Sequence, residues 1–143
     1  MFRLRRFVLA LSLLLAAALP ARAETPSAAD AAAFQKVIAA QVAAFQADQW
    51  EVAFSYAAPR IQAMFGNPER FQRMVLGGYE AVARPRVFKF DDAALIDERP
   101  AQLVFVIGPD GIPRRGVYFM ERQSDGSWRI AGVLLKRAPD LAS

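Results

Sequence analysis

Glu121 is the acid in this chain whose surroundings suggest chemistry, because Tyr118 and Met120 precede it in a stretch that alternates as a strand. A carboxylate held among apolar side chains gains proton affinity and serves as a general base near neutral pH. A tyrosine hydroxyl facing it would stabilise the oxyanion formed by an isomerase or dehydratase. The competing reading is a surface carboxylate paired with an arginine, which is the commoner arrangement. Glu80 is the other acid with no evident structural duty. Asp48, Asp110 and Asp125, and with them Asp97, fall where helix caps and turns use a carboxylate. Asp91 and Asp92 are adjacent, but neighbouring strand residues face opposite ways, and a calcium site takes roughly six or more oxygens. A solvated loop accounts for them.

The sequence contains no histidine and no cysteine. This excludes Ser–His and Cys–His nucleophilic systems, histidine zinc sites and the most frequent general base. Gly77-Gly78 lacks the Gly and Lys positions of a phosphate-cradling loop. No metal site and no cofactor is expected. Trp50, Phe54, Tyr56, Tyr79, Tyr118 and Trp128 are the candidates for lining a ligand pocket. Aromatic residues at helical spacing more often form core, although a buried tyrosine hydroxyl requires a partner. Arg84-Pro85-Arg86 and Arg114-Arg115 would suit an anionic ligand or partner, but they lie beside predicted strand ends, where charge protects an edge.

The elements that must position these residues change period halfway along the chain. Ser27 and Asp30 form a capping-box pair, followed by Phe34, Val37, Ile38, Val42 and Phe45 at helical spacing. Asp48 with Glu51 predicts a second cap, ahead of Trp50, Ala53, Phe54 and Ala57. Pro59 disfavours helical geometry at Ala58. Ile61, Met64 and Phe65 then lead to Gly66, and Asn67-Pro68 opens a helix through Phe71, Met74, Val75 and Tyr79, with a break at Gly77-Gly78. From about residue 85 the period becomes two. Phe88 and Phe90 share one face, as do Leu103, Phe105 and Ile107, and Trp128, Ile130 and Leu134 alternate against Arg129 and Val133. Gly108-Pro109-Asp110-Gly111 and Ser124-Asp125-Gly126 are tight turns, so the sheet is antiparallel. Helices over about 27–79 and strands over about 85–137 predict an α+β domain with the helices on one face of a curved sheet.

The first 23 residues differ in kind. Arg3, Arg5 and Arg6 precede an apolar run from Phe7 to Leu19, and Ala21-Arg22-Ala23 offers small residues where a signal peptidase reads. A run of thirteen residues falls short of the roughly 20 that a helix needs to span a bilayer. We expect residues 1–23 to be a signal peptide cleaved near Ala23, leaving a periplasmic or secreted domain from Glu24 to a frayed tail at 138–143. Arg5-Arg6 leaves general and twin-arginine export both open. The chain has 18 Lys and Arg against 14 Asp and Glu. The leader holds four of the arginines and none of the acids, so the remainder is formally neutral. Neutrality and export argue against nucleic acid as a partner. Membrane contact is expected through the leader alone, during export.

Asp48-Gln49-Trp50, Ala53-Phe54, Ala58-Pro59, Ile61, Met64-Phe65-Gly66, Phe71, Met74-Val75, Gly78-Tyr79 and Pro85 resemble a family of short exported bacterial domains, domain of unknown function 4864. The likeness continues through Gly108-Pro109-Asp110-Gly111, Tyr118, Met120, Gly126-Ser127-Trp128-Arg129-Ile130, Gly132 and Arg137-Ala138-Pro139. The family carries no assigned activity. The order of elements is also similar to the cone-shaped fold of nuclear transport factor two, ketosteroid isomerase and the cystatin-like proteins. That likeness implies a cavity between helices and sheet, and its members include isomerases, dehydratases and pure binding modules.

The leading expectation is a non-catalytic envelope domain that binds a small apolar ligand or an envelope protein. One alternative is an isomerase or dehydratase with Glu121 as base. The other is a homodimer formed sheet to sheet, with Val104, Val106, Val133 and Leu135 as a second apolar face that helices cannot cover.

Overall fold

The computed structural model describes residues 24–138, so the expected leader at 1–23 and the tail from 139 onward lie outside the described residues. The capping box forms as the sequence predicts. The Asp30 N–H donates to Ser27 Oγ and the Ser27 N–H to Asp30 Oδ2, each at 3.0 Å. Helix α1, Ala28–Gln46, follows and buries Phe34, Ile38, Gln41, Val42 and Phe45 along one stripe.

Helix α2, Trp50–Ser55, departs from expectation at its start. Its N-cap is Gln49, with no side-chain bond to the helix. Asp48 instead sits in the left-handed region at φ 55°, reversing the chain between α1 and α2. Its carboxylate accepts from Arg84 Nη2 at 2.6 Å. A distant guanidinium has taken the oxygen that a local cap would have used.

Helix α3, Pro59–Phe65, begins on the proline and ends at Gly66, whose φ of 81° suits a residue without a Cβ. Helix α4, Pro68–Gly78, is capped by Asn67, which accepts from the Arg70 N–H at 2.9 Å. The helical half does not stop at 79. After the single non-helical residue Tyr79, a one-turn helix α5, Glu80–Ala83, buries Ala81, Val82 and Ala83. Burial of three small apolar residues outweighs the weak helix propensity of the Gly-Gly step.

Strands β1 (Val87–Ile96), β2 (Arg99–Ile107), β3 (Pro113–Arg122) and β4 (Trp128–Arg137) form an antiparallel meander in that order. Each reversal uses left-handed residues: Asp97 and Glu98 between β1 and β2, Gly111 before β3, Gly126 before β4. Two bulges interrupt the ladders. Asp91 and Asp92 together oppose Leu103, and Ala131 is the extra residue between the pairs Met120–Ile130 and Phe119–Gly132. Trp128 and Ile130 therefore keep one face, and the alternation then shifts. Val133 and Leu135 pack toward the helices while Leu134 turns outward, 53 % exposed.

The helices cover the face of the sheet that the sequence predicts to be the uncovered second one. Val104 and Val106 lie in the core at 1 % and 0 % exposure, with Val133 and Leu135 packed against it. The face away from the helices carries Leu103, Phe105, Ile107 and Val117, all half-buried, and Leu134. Beyond β4, the segment Tyr56–Ala58 adds one parallel bridge. Ile130 N–H donates to Tyr56 O at 2.9 Å and Ala58 N–H donates to Ile130 O at 2.8 Å. Pro59 follows at once and ends the pairing.

Candidate functional site

Helix α3 buries no residue, although Ile61, Met64 and Phe65 make it apolar on one side. Such a helix either has a partner elsewhere or walls a hollow. Here it walls a groove of about 310 Å³. Ile61, Met64 and Phe65 form one side, Met74, Val75 and Tyr79 of the α4 region another, and Ile130, Gly132 and Val133 of β4 the third. Gln41 and Phe45 of α1 close the inner end. Met64 stands at the mouth with 62 % of its surface exposed.

Polar groups are few. Gln41, 4 % exposed, donates from Nε2 to the Ala53 carbonyl at 3.1 Å, which anchors α1 to α2. Gln62 Nε2 donates to the Ala57 carbonyl at 2.9 Å and fixes the start of α3. The Tyr79 ring lines the groove, placed by the break between α4 and α5. Arg84 ties the far side together. It donates to the carbonyls of Phe45 and Ala83 as well as to Asp48, and so links the ends of α1 and α5.

A second hollow of about 280 Å³ lies farther along β4, at Leu135. Its lining is polar, with Glu80, Asp110 and Arg114 beside Gly77 and Gly78. Arg114 and Asp110 pair at 2.6 Å. That pair, with the Ile112 N–H, holds the Asp110 carboxyl down to about 2, and Asp110 in turn raises the Arg114 guanidinium above its ordinary value.

Of the six aromatic candidates, Tyr79 lines the groove. Trp50, Phe54 and Tyr118 are core residues at 9 % exposure or less. Phe54 stacks against Phe71 at 5.3 Å, and Phe45 against Trp50 at 5.2 Å. Trp128 packs edge-on against Phe34 at 4.7 Å, and Tyr56 contributes its carbonyl to the bridge with β4. Glu121 is exposed on the face of β3 away from the helices, opposite Arg129, and does not line the groove. The carboxylate inside an apolar pocket that isomerase chemistry needs is not supplied by this residue. Tyr118 is fully buried, and burial pushes its phenol well above the ordinary tyrosine value. Among the described residues no group of three or more Asp or Glu is placed to hold a metal ion. No described helix is long and apolar enough to cross a membrane.

Ile61, Met64, Phe65 and Met74 are visible in the sequence as apolar helix positions, but their role as groove walls is not. The readable signal is local. A seven-residue helix between a proline and a glycine, apolar on one side, is too short to bury that side by itself.

Among the described residues, five helices and a four-stranded antiparallel meander make an α+β domain. The family model described as Domain of unknown function (DUF4864) matches residues 27–143, and the chain belongs to that family. No curated protein and no solved structure matches it.

Proposed function

We propose that the protein is an exported, non-catalytic binding domain of the cell envelope whose apolar groove between α3, α4 and β4 holds its ligand or partner. The observation that carries this reading is the groove itself, about 310 Å³ and lined almost wholly by aliphatic, methionine and aromatic side chains. Two methionines in the wall, Met64 and Met74, adapt to occupants of different shape. We read the fold as cone-like, with helices on one side of the hollow and the bulged sheet on the other. The basic, apolar and small-residue order of positions 1–23 supports export and cleavage near Ala23.

Native mass spectrometry of protein purified from its own host, without refolding, tests the reading. A retained small molecule or partner chain is expected, lost on Met74→Arg, with circular dichroism reporting that the variant is folded. Bare monomer throughout, together with no uptake of an apolar dye, overturns it.

A second reading, a homodimer through the sheet, rests on the outward face of Leu103, Phe105, Ile107, Val117 and Leu134. The informative substitution is Leu134→Arg, because Val133 packs toward the helices. Sedimentation across micromolar concentrations separates the outcomes. A dimer that Leu134→Arg dissociates supports it, and monomer for both chains ends it.

A further inference from the structure

The groove of the proposed binding site has a strand edge for one of its walls. β4 is the last strand of the sheet, and among the described residues its outer side meets the chain's own backbone at one point, the bridge of Tyr56–Ala58 to Ile130. Pro59 then turns the chain away into α3. Beyond that point the edge has no covering strand among the described residues.

The hydrogen-bond phase of β4 tells which groups are left over. The Ala138 N–H donates to the Pro113 carbonyl at 3.0 Å, and Arg114 stands opposite Arg137. By the alternation of an antiparallel ladder, the backbone groups of Leu134 and Lys136 turn inward to β3 while those of Val133, Leu135 and Arg137 turn outward. No described residue bonds to those outward groups of Val133 and Leu135. The apolar hollow opens beside Gly132 and Val133, and the polar hollow lies beside Leu135. Free main-chain donors and acceptors thus run alongside side-chain pockets at strand spacing. This is the combination by which an extended chain is recognised through strand addition.

Charge distinguishes the occupant further. Lys136 and Arg137 end the strand, are exposed, and form no ion pair among the described residues. Nearby Arg137 adds to the field that keeps Asp110 ionised. A segment laid along this edge meets apolar walls first and, at the end, Lys136 on one face of the strand and Arg137, near Asp110, on the other.

We propose that the unpaired edge of β4 from Gly132 to Arg137 binds an extended segment of a partner protein by strand addition, with apolar side chains in the groove and carboxylates beside Lys136 and Arg137. The proposal rests on the groove being a binding site and adds the chemical class of its occupant. It reuses the mode that Tyr56–Ala58 already shows on the same edge at Ile130.

The probe is a blocked heptapeptide of alternating valine and threonine, flanked at both ends by glutamates, added to the purified chain. Hydrogen exchange is followed by NMR, and uptake of the dye 1-anilinonaphthalene-8-sulfonate is measured in parallel. Binding is expected to slow exchange at the Val133 and Leu135 amides at least tenfold and to leave Leu134 and Lys136 unchanged. N-methylation scanned along the peptide is expected to weaken binding about fivefold or more at alternate positions, the loss of one hydrogen bond each. Flanking lysines in place of glutamates are expected to weaken it as well. A peptide that binds without protecting Val133 and Leu135, or whose N-methyl scan is flat, overturns strand addition and leaves the groove reading intact. So does dye uptake with no peptide binding. If neither probe binds, the groove reading falls with it.

Discussion

Gln102 and Tyr118 face each other directly across the β2–β3 ladder, both sealed from solvent. Gln102 Nε2 donates to the Asp91 carbonyl at 2.8 Å and to the Leu103 carbonyl at 2.9 Å, spanning the bulge that Asp91 and Asp92 make. Its amide oxygen and the Tyr118 hydroxyl are each buried with no partner in the protein. The two halves of one side chain therefore act oppositely: the amide nitrogen holds the bulge, and the oxygen carries a desolvation cost.

That asymmetry makes Tyr118→Phe and Gln102→Leu respond in opposite directions. Removing an unpartnered buried hydroxyl is expected to leave stability unchanged or raise it by up to about 1 kcal/mol. Gln102→Leu removes the donor to two part-buried carbonyls and is expected to cost about 1–3 kcal/mol. Urea unfolding of the two variants against the parent checks the signs. A clear loss in Tyr118→Phe would show that an ordered water serves the hydroxyl.

Arg84 joins the ends of α1 and α5 through the Phe45 and Ala83 carbonyls and the Asp48 carboxylate. Arg84→Met is expected to destabilise by about 1–3 kcal/mol, because partly buried carbonyls lose a charged donor. Asp48→Asn keeps the left-handed turn and is expected to lose under about 1 kcal/mol, as the pair is largely exposed. Equal losses in chemical denaturation would contradict the dominance of the carbonyl bonds.

Two glycines predict opposite outcomes for the same substitution. A Cβ on Gly108 would stand 2.6 Å from the Ala81 Cα and 2.9 Å from its Cβ, a collision of the end of β2 with α5. Gly108→Ala is expected to cost about 2–3 kcal/mol by forcing the two apart. A Cβ on Gly77 meets nothing within 4 Å. There Gly77→Ala is expected to stabilise by about 0.4–1 kcal/mol, since the helical residue loses less freedom on folding. Thermal melts of both variants decide.

Asp110 provides the pH dependence. Its carboxyl is lowered from 3.8 to about 2 by the hydrogen bond from Arg114, the Ile112 N–H and the nearby charges. A folded-state value below the unfolded one means that its contribution is fully present above about pH 4 and is lost as the pH falls toward 2. Asp110→Asn is expected to be less stable than the parent at neutral pH, with the difference vanishing by about pH 2. Denaturation midpoints measured between pH 7 and 2 test this. A constant gap across that range would show that the Arg114 pair is not its source.

Local chemistry determined much of this protein from the sequence alone. The Ser27–Asp30 box, the Asn67 cap, the Gly66 stop and the turns at Asp110 and Asp125 depend on residues within a few positions of each other, so their side chains predict them. Period and turn spacing were enough for helices followed by an antiparallel meander, because each element's pattern is a property of its own residues. Tertiary structure decided whatever depended on distant partners. Asp48 reads as a cap but is held by Arg84, and no pattern near Asp48 contains that guanidinium. The single extra residue at Ala131 exchanged the faces of the residues after it in β4, so Leu134, and not Val133 or Leu135, joins the outward apolar surface. Glu121 went to the solvent side and Tyr118 to the core because a strand's alternation does not say which side the helices will cover. The groove needed three separate elements, α3, α4 and β4, to meet at residues that each read as ordinary core. Burial belongs to the assembled layers, and a one-dimensional pattern cannot say which apolar positions will be left facing a hollow.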